Sequence, residues 1–298
     1  MQTGYFSAAW NDIKNSPGWF GKLAVLSLVG LIPVFGWIVV FGYLFGWARD
    51  VAWNVHAPMP ARIFGNEDGR LYSRGFFALV IGLVCMLIPW VLEFVWAMVT
   101  GIGANWSGYG YGYGGSLAFF GLFSLLFSVV VFAGTLFAVV FAAVGIMRMS
   151  IYGRLAPGLQ FGKIWAMIRH DFGGLVRILG MALLLWVVAG FVISVITIGI
   201  MLAGVAIGLV AGIPVVHTDS PAILFAALPG LLALIVVLAV ACGVLSMMLS
   251  VFVLAMVSRA LGYWTRQFEV PAWRGQDDPM PFEIAAAHAR AAGQQPPR

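Results

Sequence analysis

Apolar residues fill four long stretches of the chain, and polar residues are confined to the intervals between them. The stretches 75–100, 117–147, 178–213 and 222–258 each exceed the ~20 residues a helix needs to cross a bilayer. Their unbroken apolar character, without the alternation of a half-buried strand, predicts four long transmembrane helices and an all-α integral membrane protein. A fifth apolar segment, 23–48, is interrupted by Pro33 and Gly36 in Ile32-Pro33-Val34-Phe35-Gly36-Trp37, a turn-like sequence. Two helical arms of about 10–12 residues would reach about 15–18 Å, half of a ~30 Å hydrocarbon core. The segment is therefore expected to re-enter as a hairpin, with a fifth complete span as the alternative. A hairpin of this kind needs its exposed backbone buried in protein.

Composition agrees with the pattern. Of the 298 residues, 62% are hydrophobic and only 9% charged, against about 25% charged in a soluble domain. The charges themselves are patterned. All 16 Lys and Arg residues lie before 75, between 148 and 177, or after 258. The two silent stretches each accommodate a pair of spans, so the basic clusters share one face. The positive-inside rule assigns that face to the cytoplasm, including the C-terminus. A complete span over 23–48 would put Lys14 and Lys22 on the other side. The net charge of +5 thus marks topology. Nucleic acid is not an expected partner, because the basic residues are interleaved with Asp50, Glu67, Asp68 and Asp171. Residues 1–15 hold Asn11, Asp12 and Lys14 where a signal peptide has its apolar core, so no cleaved leader is expected. Cys85 and Cys242 lie in apolar runs and suggest neither a disulfide framework nor a metal site.

Residues 6–23 align without gaps to 161–178. Phe6, Trp10, Ile13 and Gly18 recur as Phe161, Trp165, Ile168 and Gly173; Lys14 and Lys22 recur as Arg169 and Arg177. Phe, Trp and Ile at i, i+4 and i+7 share one helical face, so each copy predicts an amphipathic helix lying in the interface. Ser16 and Asp171, at equivalent positions, are expected N-caps. Both copies start on the same face, which predicts a two-fold parallel repeat with halves 6–148 and 161–258. Residues 1–258 would form one membrane domain and 259–298 an interfacial, partly disordered cytoplasmic tail. Within that tail, 282–292 is expected to form a short helix.

The run from Phe6 through Ser16-Pro17-Gly18-Trp19 to Leu28-Val29-Gly30-Leu31-Ile32-Pro33-Val34-Phe35-Gly36-Trp37 and Gly42-Tyr43 resembles the opening of a known family. It is an uncharacterised multi-pass membrane family of bacteria and archaea, a domain of unknown function numbered four thousand and thirteen. Tyr152-Gly153-Arg154 through Phe161 to Asp171 is similar to its second block. The resemblance implies an integral protein of the cytoplasmic membrane and carries over no catalytic residue or cofactor.

Candidate chemistry is sparse. Glu93 is the sole acidic residue inside an expected span, and an intramembrane carboxylate is a functional candidate. Pro89 precedes it by four residues. Gly204, Gly208 and Gly212 recur at the spacing of close helix packing, as do Gly42 and Gly46. Lys14, Lys22, Arg169 and Arg177 are candidate contacts for anionic lipid headgroups. His217 with Asp219 falls short of a zinc site, Asn105-Trp106-Ser107 matches a sequon, and the Tyr/Gly-rich turn 107–115 suits an interfacial linker. No nucleophile–base grouping points to an enzyme. The expectation is a non-enzymatic lipid-interacting module or envelope-complex subunit, with a protein partner or second copy unidentified. The alternative is a small transporter of a hydrophobic or lipid-like substrate.

Overall fold

The computed structural model describes residues 4–65, 68–107, 114–216 and 221–291. Among them the chain is helical, without strands: α1 (Tyr5–Lys14), α2 (Trp19–Gly30), α3 (Phe35–Ala52), α4 (Leu71–Ser107), α5 (Gly114–Tyr152), α6 (Leu155–Gly158), α7 (Phe161–His170), α8 (Phe172–Val216), α9 (Pro221–Arg266) and α10 (Pro281–Ala291). Four of these, α4, α5, α8 and α9, are long and apolar enough to cross a membrane. They pack as two pairs, α4 with α5 and α8 with α9.

The segment 23–48 is broken, as Pro33 predicts. The break is a tight turn in which the Phe35 N–H donates to the Pro33 carbonyl at 2.7 Å and Val34 takes φ +62°. That conformation is unusual for a β-branched residue. Both outer ends of the α2–α3 pair return to the same loop. Lys22 Nζ donates to the Met59 carbonyl at 2.8 Å, while Tyr43 and Trp47 donate to Pro60 and Ala57. The pair is a helical hairpin. Its tip lies beside Met247, because a Cβ on Gly30 would meet the Met247 side chain. Met247 stands twelve residues above Arg259 on α9, about 18 Å along the helix.

Helix α3 is the hub, with Val39, Tyr43, Leu44, Trp47, Ala48 and Val51 fully buried. Its neighbours approach to backbone distance. A Cβ on Gly42 would overlap the Leu71 carbonyl oxygen, and one on Gly262 that of Ala48. Such contacts require a residue without a side chain. The core gathers around α3 at the charged end of the long helices. Farther out, Ile88, Phe94, Val187, Phe191 and Val237 are all more than half exposed. Apolar faces without protein cover, on helices of this length, are those of a multi-pass membrane protein.

Two details depart from the sequence-based expectation. Ser16 does not cap α2, which begins after Gly18 in the left-handed region at φ +64°. The Ser16 hydroxyl instead donates back to the Asp12 carbonyl (2.7 Å) and accepts the Met59 N–H (2.9 Å), tying the end of α1 to the 53–65 loop. Asp171 does cap α8, its carboxylate accepting the Gly174 N–H at 2.9 Å. The change of composition at Ser258 does not interrupt α9, which continues to Arg266 and buries Arg259, Trp264 and Thr265. A 3-10 turn (Val270–Ala272) and α10 follow.

Candidate functional site

The charged end of the bundle is built from α1 and α7, which occupy the two aligned stretches. Each buries one face: Ala9 and Ile13 on α1, and the equivalent Ile164 and Ile168 on α7. Each leaves a tryptophan partly exposed. Trp10 packs edge-on against Phe252 of α9 with ring centroids 6.0 Å apart, and Trp165 stacks on Phe141 of α5 at 6.1 Å. Lys14, Arg169 and Arg177 are exposed, whereas Lys22 is half-buried with its ammonium committed to Met59. Around them Phe20, Phe161 and Phe172 present open aromatic surface.

Below this surface lie two buried arginines, Arg259 and Arg148, which in the sequence are simply members of the basic clusters. Arg259 is fully buried. Its Nη2 lies 2.6 Å from the Asp12 carboxylate, Nη1 donates to the Trp47 carbonyl at 2.7 Å, and the guanidinium stands 4.2 Å from the Trp47 ring centroid. The Tyr263 hydroxyl donates to the same Asp12 oxygen at 2.8 Å. Burial of a charge costs several kcal/mol unless it is paired and hydrogen-bonded, and this one is both. Arg148, 1% exposed, donates to the carbonyls of Pro157 and Gln276 and, at 2.8 Å, to the Gln160 side chain. Tyr152 and Trp273 flank it.

The two sites correspond. Val140, Phe141, Arg148 and Tyr152 of α5 recur 111 residues later as Val251, Phe252, Arg259 and Tyr263 of α9. A sequence signal was therefore present, as Val-Phe-x6-Arg-x3-Tyr, but two such runs do not stand out among long apolar stretches. The contacts cross between the matching stretches: α1 packs on α9, and α7 on α5. Asp12 against Arg259 is matched by Met167 against Arg148, and 12 and 167 are equivalent positions.

A third cluster closes the loop before α4. Asp68 receives Arg49 at 2.5 Å and is also paired with the buried Arg74, whose Nη1 reaches the Gly42 carbonyl. Partial burial pushes the Asp68 carboxyl up, but Arg74, the Arg70 N–H and Arg49 outweigh it and hold it at about 2. On the tail, Glu283 pairs with Lys163 at 2.9 Å and accepts the Met280 N–H at 2.8 Å. Burial pushes its carboxyl up, but the Met280 N–H, Lys163 and the charge of nearby Arg148 outweigh that and hold it below the usual range.

The remaining candidates are apart from this layer. Glu93 is exposed on α4 and lines a cavity of about 290 Å³ with Trp96, Phe127, Ser128, Phe132 and Thr135. A second cavity of about 300 Å³, lined by Cys85, Pro89, Phe137, Phe141 and Phe161, shares Val131 with it. Gly204 has open space where a packing helix would stand, and the surroundings of Gly208 and Gly212 lie outside the described residues. So do His217, Asp219, the Tyr/Gly-rich stretch 108–113, and the side chains of Asn105 and Ser107. Among the described residues, no three His, Cys, Asp or Glu side chains gather in a way that could hold a metal.

Residues 25–202 match a family model described as "Protein of unknown function (DUF4013)". No curated protein and no solved structure matches the chain.

Proposed function

The chain belongs to the DUF4013 family, and on that premise we propose that it is a non-enzymatic membrane module whose charged end lies on the cytoplasmic face and engages anionic lipid headgroups. The observation that carries this reading is the pair α1 and α7. Each docks an apolar face on the bundle while exposing tryptophan and basic side chains at the charged end of the long helices. Tryptophan prefers the headgroup level, and each basic residue near an anionic surface contributes about 1 kcal/mol. The exchanged packing of α1 on α9 and α7 on α5 supports a parallel two-fold repeat. The ~18 Å depth of the α2–α3 tip supports re-entry rather than a fifth span.

The test is lipid retention by the purified full chain, measured by native mass spectrometry in mixed phosphatidylglycerol and phosphatidylcholine micelles. Lys14→Gln, Arg169→Gln and Arg177→Gln should each lower the preference for phosphatidylglycerol, by up to about five-fold. Lys22→Gln should change it least, because Lys22 already spends its ammonium on Met59. No preference in the unsubstituted protein, or one indifferent to all three substitutions, would sink the reading. A second reading, transport of a lipid-like substrate, is favoured by the adjoining cavities between α4 and α5, one carrying Glu93. Glu93→Gln should then abolish substrate movement across reconstituted vesicles; unchanged movement removes Glu93 from the mechanism.

A further inference from the structure

The two corresponding arginine sites differ in one respect. Arg259 has a carboxylate, Asp12, whereas the equivalent position beside Arg148 is Met167, with its sulfur 4.0 Å from Nη1. Met280 presents a second sulfur to the same nitrogen at 3.8 Å. Thioethers are weak acceptors, so Nη1 has no oxygen partner among the described residues, and Arg148 forms no ion pair there. A buried guanidinium is ordinarily matched by a carboxylate or phosphate.

The C-terminal segment covers this site and supplies substitutes. The Gly275 carbonyl accepts from Tyr152 at 3.2 Å and the Gln276 carbonyl from Arg148 at 3.4 Å. Asp277 accepts from the Gln160 amide at 2.7 Å, and Glu283 pairs with Lys163 at 2.9 Å. Each of these contacts sets an oxygen of the tail against a donor of the bundle. Two of those oxygens belong to carboxylates, Asp277 and Glu283, which act on Arg148 electrostatically from a distance, but neither pairs with it directly. The donors beneath the tail are a guanidinium, an ammonium, an amide and a phenol, a set that suits the several oxygens of one phosphate group.

We propose that Arg148, Lys163, Gln160 and Tyr152 form a binding site for a phosphate-bearing anion, and that segment 275–283 occupies it as an internal latch. The site rests on the reading that this end of the bundle meets headgroups. There the phosphate belongs to an anionic lipid or to a soluble phosphate compound. Displacement of the tail exposes the donors, and an incoming phosphate gives Arg148 the anionic partner that Asp12 gives Arg259.

The experiment uses the full chain in micelles and the double substitution Asp277→Asn/Glu283→Gln. Release of the tail is read as trypsin cleavage after Arg274, and binding as native mass spectra with phosphatidylglycerol, phosphatidylcholine or inorganic phosphate. Cleavage should quicken, and one additional anion should bind, with about five-fold tighter affinity than in the unsubstituted chain. Adding Met167→Asp, which restores the missing carboxylate, should cancel that gain. Lys163→Gln, at a half-exposed position, should reduce it and decides the matter if Met167→Asp does not fold. Binding of phosphatidylglycerol that inorganic phosphate does not displace identifies the lipid headgroup; displacement, or binding of phosphate alone, identifies a soluble phosphate. Unchanged cleavage overturns the latch. Faster cleavage without added binding, or a gain that survives both further substitutions, overturns the site. The preference governed by Lys14, Arg169 and Arg177 is measured separately, so its loss and the failure of the Arg148 site are told apart.

Discussion

Arg259 and Arg148 meet the same problem, a guanidinium sealed in a protein core, by different means. Asp12 balances Arg259 by charge, whereas Arg148 relies on carbonyls, an amide and two aromatic rings. Removing the carboxylate with Asp12→Ala leaves a buried cation unpaired, a change that costs about 3–5 kcal/mol in buried pairs. Asp12 is partly exposed, so the loss should fall at the low end, read from denaturant unfolding in micelles. Asp68 makes a pH-dependent contribution. Its carboxyl is held at about 2, below the ordinary 3.8, so its stabilisation stands at neutral pH. That contribution declines as pH falls below 3.8 and is gone below about 2. Asp68→Asn should lower the melting temperature at pH 7 while shrinking the difference between pH 5 and pH 3.

Among the elements, the contact of α3 with α4 is the most demanding. Gly42 of α3 meets the Leu71 carbonyl, and Gly75 of α4 meets that of Ile38, leaving no volume for even a methyl group. Gly42→Ala should therefore destabilise the protein by about 1–3 kcal/mol through forced separation of the helices. Gly204→Ala, at an open position, should be neutral in the same thermal unfolding assay. Glycine spacing alone does not distinguish the two cases, since it marks where close packing is permitted. Helices α1 and α7 were legible in sequence because a 3.6-residue period survives in short polar segments. Boundaries of the long helices were not, because an apolar run has no face to reveal where protein contact ends and lipid contact begins.

At the scale of the whole molecule, the proposed re-entry of the α2–α3 hairpin sets how the chain is threaded. Both ends of α2–α3 meet the 53–65 loop, so cysteines placed at Asn15 and Tyr109 should be labelled from opposite sides of the membrane. Labelling from the same side would require a complete span over 23–48. The measurement needs a background with Cys85 and Cys242 replaced. The same geometry concentrates the core at one end and leaves the outer stretches of the long helices as two exposed pairs.

Helical class, the four long apolar helices, the amphipathic pair and the break at Pro33 were determined by the sequence itself. Hydropathy, periodicity and a missing backbone donor act locally. Only the tertiary structure decided which of the 16 basic residues are buried, because burial depends on what other elements bring. Asp12 comes to Arg259 across the length of the chain, and the tail comes to Arg148 from beyond the last long helix. Charge scarcity in such a chain fixes where cations are permitted. Whether each one stays exposed or meets a carboxylate or a sulfur is settled by packing.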